Sequence, residues 1–70
     1  MKYVVIVAMR KPDGTADIQP VGFTNKANAG SFIGDIYRKF GEDVAVALEV
    51  NGQPVEWRRE RGRLVIDTPM

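Results

Sequence analysis

Arginine side chains are concentrated in one short segment near the C-terminal end of the chain. The run from Trp57 to Arg63 contains four arginines and a single acid. Arginine guanidinium groups pair with phosphates or carboxylates, and an aromatic ring stacks on nucleic-acid bases. The alternative is a solvated turn, in which Glu56 and Glu60 neutralise part of the charge and the tryptophan belongs to the core. The binding interpretation predicts a site for nucleic acid or an acidic protein surface, formed by Trp57, Arg58, Arg59, Arg61 and Arg63.

Residue types suited to catalysis or metal binding are scarce. The chain has no histidine and no cysteine, so it lacks the commonest general base, the commonest metal ligand and any thiol nucleophile. Nine acidic residues are present, but no two share a helix face or the spacing of an established motif. A chain of 70 residues also has little core to spare for an enclosed pocket. We therefore predict a non-enzymatic protein with no catalytic, cofactor-binding or metal site and no small-molecule substrate.

Length, composition and charge are those of one ordinary domain. Hydrophobic residues make up 44% of the chain and charged residues 27%, as in globular proteins. The net charge of +1 disfavours a dedicated polyanion binder. The apolar run Tyr3–Met9 is too short for a signal-peptide core with its flanks and for a membrane span. We expect a single α+β domain over residues 1–70 that is cytoplasmic and has no membrane partner.

The first half of the chain predicts two strands and a helix. A β-branched run over residues 2–10 is typical of a buried strand, and a turn at residues 11–14 leads into a second strand over residues 15–23. Pro20 and Gly22 predict that this second strand lies at a sheet edge and contains a bulge. Apolar residues at helical spacing between Ala29 and Phe40 then predict a helix that is capped by Thr24 or Asn25 and ends at Gly41.

The second half predicts three more strands. Residues 43–50 alternate between the two faces of a strand, and Asn51-Gly52 is a strong signal for a type I′ hairpin turn. A fourth strand over residues 53–59 and a fifth over residues 63–67 follow, with a turn near residues 60–62. The predicted fold is β-β-α-β-β-β, with one helix packed on a curled, largely antiparallel sheet.

Two glycines inside the predicted helix lower its stability. Gly30 and Gly34 are four residues apart, and each destabilises a helix interior by about 0.8–1 kcal/mol relative to alanine. One interpretation is a close approach to that helix face by a partner or by the helix of a second copy. The alternative is close packing on the domain's own sheet, or simple tolerance of the two glycines.

Apolar residues occupy both faces of the first strand. One helix covers only one face of a sheet, so the opposite face needs another cover. This predicts either an interface with a partner protein or a second copy, or a sheet that curls into a half-barrel and covers itself. The interface residues predicted on this basis are Val4, Ile6, Ala45, Ala47 and Val65.

The run from Phe23 to Ala29 resembles the strand-to-helix junction of sporulation-related peptidoglycan-binding domains. Those domains have a second helix between their later strands. Residues after Asn51 instead predict a continuous series of strands here, so the resemblance, which covers seven residues, carries no function over.

These features favour a protein-binding module that acts through protein contact, either with a partner or as a homodimer. An accessory or inhibitor protein of the kind encoded by phages or mobile elements fits a chain of this size. The alternative is a small nucleic-acid-binding protein that uses the arginine-rich hairpin Arg58–Arg63.

Overall fold

Six strands and one long helix form within the part of the chain that the structure describes. The computed structural model describes residues 2–67, apart from the side chain of Glu42. In chain order the elements are β1 (Tyr3–Arg10), β2 (Ala16–Phe23), α1 (Lys26–Phe40), a 3-10 turn (Gly41–Asp43), β3 (Val44–Val50), β4 (Gln53–Val55), β5 (Trp57–Glu60) and β6 (Arg63–Ile66). They build a four-stranded sheet of order β2-β1-β3-β4 and a separate two-stranded sheet of β5 and β6. The α+β class and the predicted order are confirmed.

The β1–β2 hairpin is closed by a turn whose hydrogen bonds fix its register. The Gly14 N–H donates to the Lys11 carbonyl over 3.0 Å, and the Lys11 N–H donates to the Thr15 carbonyl over 2.8 Å. Gly14 has a φ of 90°, which glycine adopts without strain. Pairing then continues without interruption along both strands, from Arg10 with Ala16 to Tyr3 with Phe23. The predicted edge position of β2 is confirmed, but the predicted bulge is wrong.

Both ends of α1 are capped as the sequence predicts. The Asn25 side-chain oxygen accepts hydrogen bonds from the N–H groups of Ala27 and Asn28, at 2.7 and 3.2 Å. At the other end Gly41 has a φ of 62°, and its N–H donates to the Tyr37 carbonyl. Of the two predicted N-caps, the second is the one used.

The core lies between α1 and one face of the four-stranded sheet. Alternate residues of β1 and β3 point towards the helix, as the period of two requires. Ile33, at the middle of α1, is fully buried among them. The other buried apolar residues are Tyr3, Val5, Val7, Ala29, Val44, Leu48, Val50 and Leu64.

The second half of the chain leaves the four-stranded sheet after β4. Asn51 and Gly52, with φ values of 53° and 83°, form the predicted β3–β4 turn. The predicted fourth strand over residues 53–59 is divided at Glu56 into β4 and β5, which belong to different sheets. The Glu56 carbonyl accepts a hydrogen bond from the Asp67 N–H over 2.8 Å, so this bond closes the base of the β5–β6 hairpin.

Candidate functional site

The sheet face opposite α1 has no cover from the described part of the chain. On β1, Val4, Ile6 and Ala8 are half-buried by their neighbours, whereas Ala45 and Ala47 on β3 are exposed. Ile18 on β2 has 62% of its surface exposed, the largest value for a bulky apolar residue in the described range. We call this surface the open face; its apolar residues are Val4, Ile6, Ala8, Ala16, Ile18, Pro20, Gly22, Ala45, Ala47 and Pro54.

The strand registers arrange the open face into rows of unequal height. One row crosses the sheet from Pro20 through Ile6 to Ala47, because these residues are direct partners. The next row runs from Ile18 through Ala8 to Ala45. Larger side chains therefore lie on β1 and β2, and alanines form a shallow hollow along β3.

Charged residues lie at both ends of the open face. Lys2 lies directly before β1 and Arg10 is its last residue, and both have the side-chain parity of Val4. A Cβ built on Gly22 would lie 3.9 Å from Lys2 Cε, which locates that side chain on the open face.

The β3 side of the open face carries the opposite charge. Glu49, the direct partner of Val4, lies at the Lys2 end. Asp43 lines a cavity of about 370 Å³ at the other end, together with Arg10 and Ala45. Positive groups therefore flank the β1 column, and negative groups flank the β3 column.

Both edge strands place a proline where a free N–H would otherwise face outward. In an antiparallel pair, hydrogen-bonded and non-hydrogen-bonded partners alternate. Counting from the bonded pair Lys11–Thr15, Pro20 falls at a non-hydrogen-bonded position of β2, so its missing N–H faces the free edge. Pro54 has the same position in β4, one step from the closing Val50–Gln53 pair. Each edge therefore offers a weakened template for an added strand.

The predicted arginine site is divided between two faces of the β5–β6 hairpin. Arg58 points away from the helix and pairs with Glu60 and, over 3.0 Å from its Nε, with Asp67. Hydrogen bonds from Arg58 first to Asp67 and then to Glu60 raise the pKa of its guanidinium. Its charge is thus largely neutralised within the hairpin.

Arg59 and Trp57 point the other way, towards α1. A Cβ at Gly34 would lie only 2.9 Å from Arg59 Nη2 and 3.3 Å from its Cζ, so the guanidinium crosses the helix at this glycine. The Trp57 ring is half-buried, with its centroid 6.4 Å from that of Tyr37. Trp57 is therefore partly buried against the core and packs on Tyr37.

Gly30 lies where β6 packs against the helix. A Cβ at this position would lie 3.0 Å from Leu64 Cβ and 3.5 Å from Leu64 N. Both helix glycines therefore accommodate the domain's own hairpin, on the side of α1 that carries Leu64 and Arg59. The predicted close approach is internal, but it comes from the hairpin rather than from the four-stranded sheet.

Arg61 and Arg63 remain at the hairpin tip. Arg61 and Gly62, with φ values of 52° and 78°, form the turn, and both arginines are exposed. A cavity of about 450 Å³ between the tip and the start of α1 is lined by Arg63, Lys26 and Ser31, among others. Arg59 also has no described acidic partner, but its guanidinium lies against the helix at Gly34, so Arg61 and Arg63 are the two displayed at the tip.

The predicted interface residues are only partly brought together. Val4, Ile6, Ala45 and Ala47 share the open face, as expected from their parity. Val65 does not belong to it, because it lies in β6 opposite Arg58 in the separate hairpin.

Sequence reasoning missed the contributions of β2 and of the flanking charges. Counting the register outward from the turn at residues 11–14 would have placed Ile18 and Pro20 on the same face as Ile6.

Within residues 2–67, no group of three or more acidic, histidine or cysteine side chains is placed to hold a metal ion. No polar or charged side chain of the described range is buried. No described helix is long and apolar enough to cross a membrane. Comparison with known protein families, curated proteins and solved structures finds no match to this chain.

Proposed function

We propose that this chain is a non-enzymatic protein-binding module that acts through its open face. The observation that carries the proposal is that the apolar residues of this face, with Ile18 62% exposed, have no cover from the described chain. Contiguous apolar surface of this kind marks interaction sites on globular proteins. The residues that make the contact are centred on Ile6 and Ala47, with Val4, Ala8, Ile18 and Ala45 around them.

The mode of binding is face contact rather than strand addition. A partner strand needs a long row of outward N–H and C=O groups, and Pro20 interrupts that row along β2 and Pro54 along β4. The stretch of β3 that β4 does not pair with is only four residues long, Val44–Ala47. The open face has no such interruption. An accessory or inhibitor role in the cytoplasm fits a small module of this type and remains a prediction from the sequence.

Nucleic-acid binding is the second candidate, supported by the cavity that Lys26 and Arg63 line beside the hairpin tip. It is less favoured because Arg58 is engaged by two carboxylates and Trp57 packs on Tyr37. With two or three remaining cations, log affinity is expected to fall with log salt at a slope of about −2 to −3 on duplex DNA.

Affinity capture with matched variants tests the two candidates. A tagged chain is used to isolate partners from an extract of its source cells, alongside Ile6→Lys and the double variant Arg61→Glu with Arg63→Glu. The partner is expected to be lost with Ile6→Lys and retained with the hairpin variant, because only the first places a charge in the apolar contact. Thermal melting of each variant confirms that it is folded.

The opposite pattern contradicts the proposal. If folded Ile6→Lys retains the partner while the arginine variant loses it, the hairpin tip is the binding site. If the captured material is nucleic acid with the expected salt slope, lost in the arginine variant, the second candidate replaces the first.

A further inference from the structure

We propose that the open face binds a second copy of this chain, face to face, about a twofold axis parallel to the strands and midway between β1 and β3. This inference rests on the proposed function and names its occupant. Such an axis brings β1 of one copy over β3 of the other, and the reverse contact follows by symmetry. Sheets packed in this way lie about 10 Å apart with their side chains interdigitated.

The heights of the side chains are complementary under this operation. Because the rotation keeps each residue's level along the strands, Ile6 comes over Ala47 of the second copy, Ala8 over Ala45, and Val4 over Glu49. The largest of these β1 side chains, Ile6, therefore lies in the alanine hollow of the second copy. Because Ile6 and Ala47 belong to the same face, the twofold axis repeats this contact.

The charges are complementary under the same operation. Arg10 lies at the same end of the face as Asp43, and Lys2 lies at the same end as Glu49. Rotation about the proposed axis brings Arg10 over the level of Asp43 of the second copy. It brings Lys2 over Asn51 of the second copy, next to Glu49 on the same face of β3, so the flexible lysine side chain can reach that carboxylate. Each pair occurs twice, so four opposite-charge contacts surround the apolar centre, as in interfaces with a polar rim.

The unequal lengths of the edge strands remove a steric obstacle. β2 overlies the β4 side of the second copy, but β4 comprises three residues and pairs only with Leu48–Val50. Alongside Ala45 and Ala47 the edge of β3 is therefore uncovered. The exposed Ile18 has room to pack against that edge.

The size of the face sets the expected affinity. Three long strands spaced by about 4.8 Å, each about eight residues long at about 3.3 Å per residue, give a footprint of about 14 by 26 Å. That flat area of about 370 Å² is roughly half of what each partner contributes to a standard interface. We therefore expect a reversible dimer with a dissociation constant between about 10 µM and 1 mM.

A charge exchange between copies tests this geometry. Sedimentation equilibrium is measured for the natural chain, for Lys2→Glu, for Glu49→Lys, and for an equimolar mixture of the two variants. Each single variant opposes like charges at two symmetry-related places, so its dimer should be weaker by about tenfold. In the mixture both contacts become attractive, so a heterodimer should form with affinity restored to the natural level. Arg63→Glu makes the same charge change away from the open face and is expected to leave association unchanged.

Two results overturn the inference. The first is that the natural chain remains monomeric at 1 mM. The second is that Lys2→Glu and Arg63→Glu weaken association equally, or that mixing Lys2→Glu with Glu49→Lys does not restore association. In either case the proposed function is judged separately by Ile6→Lys. If that variant loses a captured protein partner of a different sequence, the open face binds protein but not a second copy. If Ile6→Lys changes neither capture nor self-association, the proposed function fails as well.

Discussion

Replacing the two helix glycines by alanine should have opposite effects on stability. At Gly34 the new Cβ meets the guanidinium end of Arg59, which is exposed and moves at little cost. The gain in helix propensity of about 0.8–1 kcal/mol should then dominate, so Gly34→Ala should stabilise the domain by about 0.5–1 kcal/mol.

At Gly30 the same substitution meets a rigid neighbour. The new Cβ would lie 3.0 Å from Leu64 Cβ, which is attached directly to the β6 backbone and buried. Relief requires the β6 backbone at Leu64 to move by a few tenths of an ångström. Overpacking of a core typically costs about 1–3 kcal/mol. After subtracting the gain in propensity, Gly30→Ala should destabilise the domain by up to about 2 kcal/mol.

Urea unfolding followed by circular dichroism measures this difference directly. The two variants differ by one methyl group at different turns of the same helix, so each controls for the other. A separation of about 0.5–3 kcal/mol corresponds to at least about 2 °C in melting temperature for a domain of this size. If both variants gain stability equally, β6 does not pack against α1 at Gly30, and the position assigned to the hairpin is wrong.

Three further predictions concern the core, a turn and an edge. Ile33→Asp should unfold the domain, since it places an unpaired charge at a fully buried position. A cooperative thermal melt close to that of the natural chain would contradict the assignment of Ile33 to the core. Hydrogen bonds from the Thr15 hydroxyl and N–H hold the pKa of Asp13 below its ordinary value. The ionised carboxylate therefore stabilises the fold at pH values above its unfolded pKa. This contribution is lost as the pH falls through the folded pKa of Asp13. Thr15→Val should move the pKa of Asp13 upward in an NMR titration, and an unchanged value would exclude the hydroxyl as its cause. Pro20→Thr should leave the β1–β2 ladder intact and increase edge association seen by light scattering, whereas unchanged association would show that the proline does not protect the edge.

Local signals in the sequence were sufficient for most element boundaries. Asn25 and Gly41 cap the helix, and Asn51-Gly52 forms the β3–β4 turn, because each depends on the conformational preferences of a few adjacent residues. The bulge predicted in β2 was wrong for a register-dependent reason. A proline disrupts a ladder only where its N–H would face the neighbouring strand, and Pro20 lies at the alternate position.

The division of residues 53–59 between two sheets was decided by tertiary packing. The alternation of Val55 and Trp57 continues smoothly through the sequence and gives no sign of a break at Glu56. The break lets Trp57 pack on Tyr37 and lets Leu64 reach Gly30. These contacts join segments far apart in the chain, so no local pattern encodes them.

The sequence alone predicted part of the open face. The apolar residues on both faces of β1 required a second cover, and this followed directly from their parity. Only the tertiary structure decided that the described hairpin packs on the helix and leaves that face open. Periodicity reports which side chains share a face, whereas the layer that covers the face depends on where the chain turns after β4.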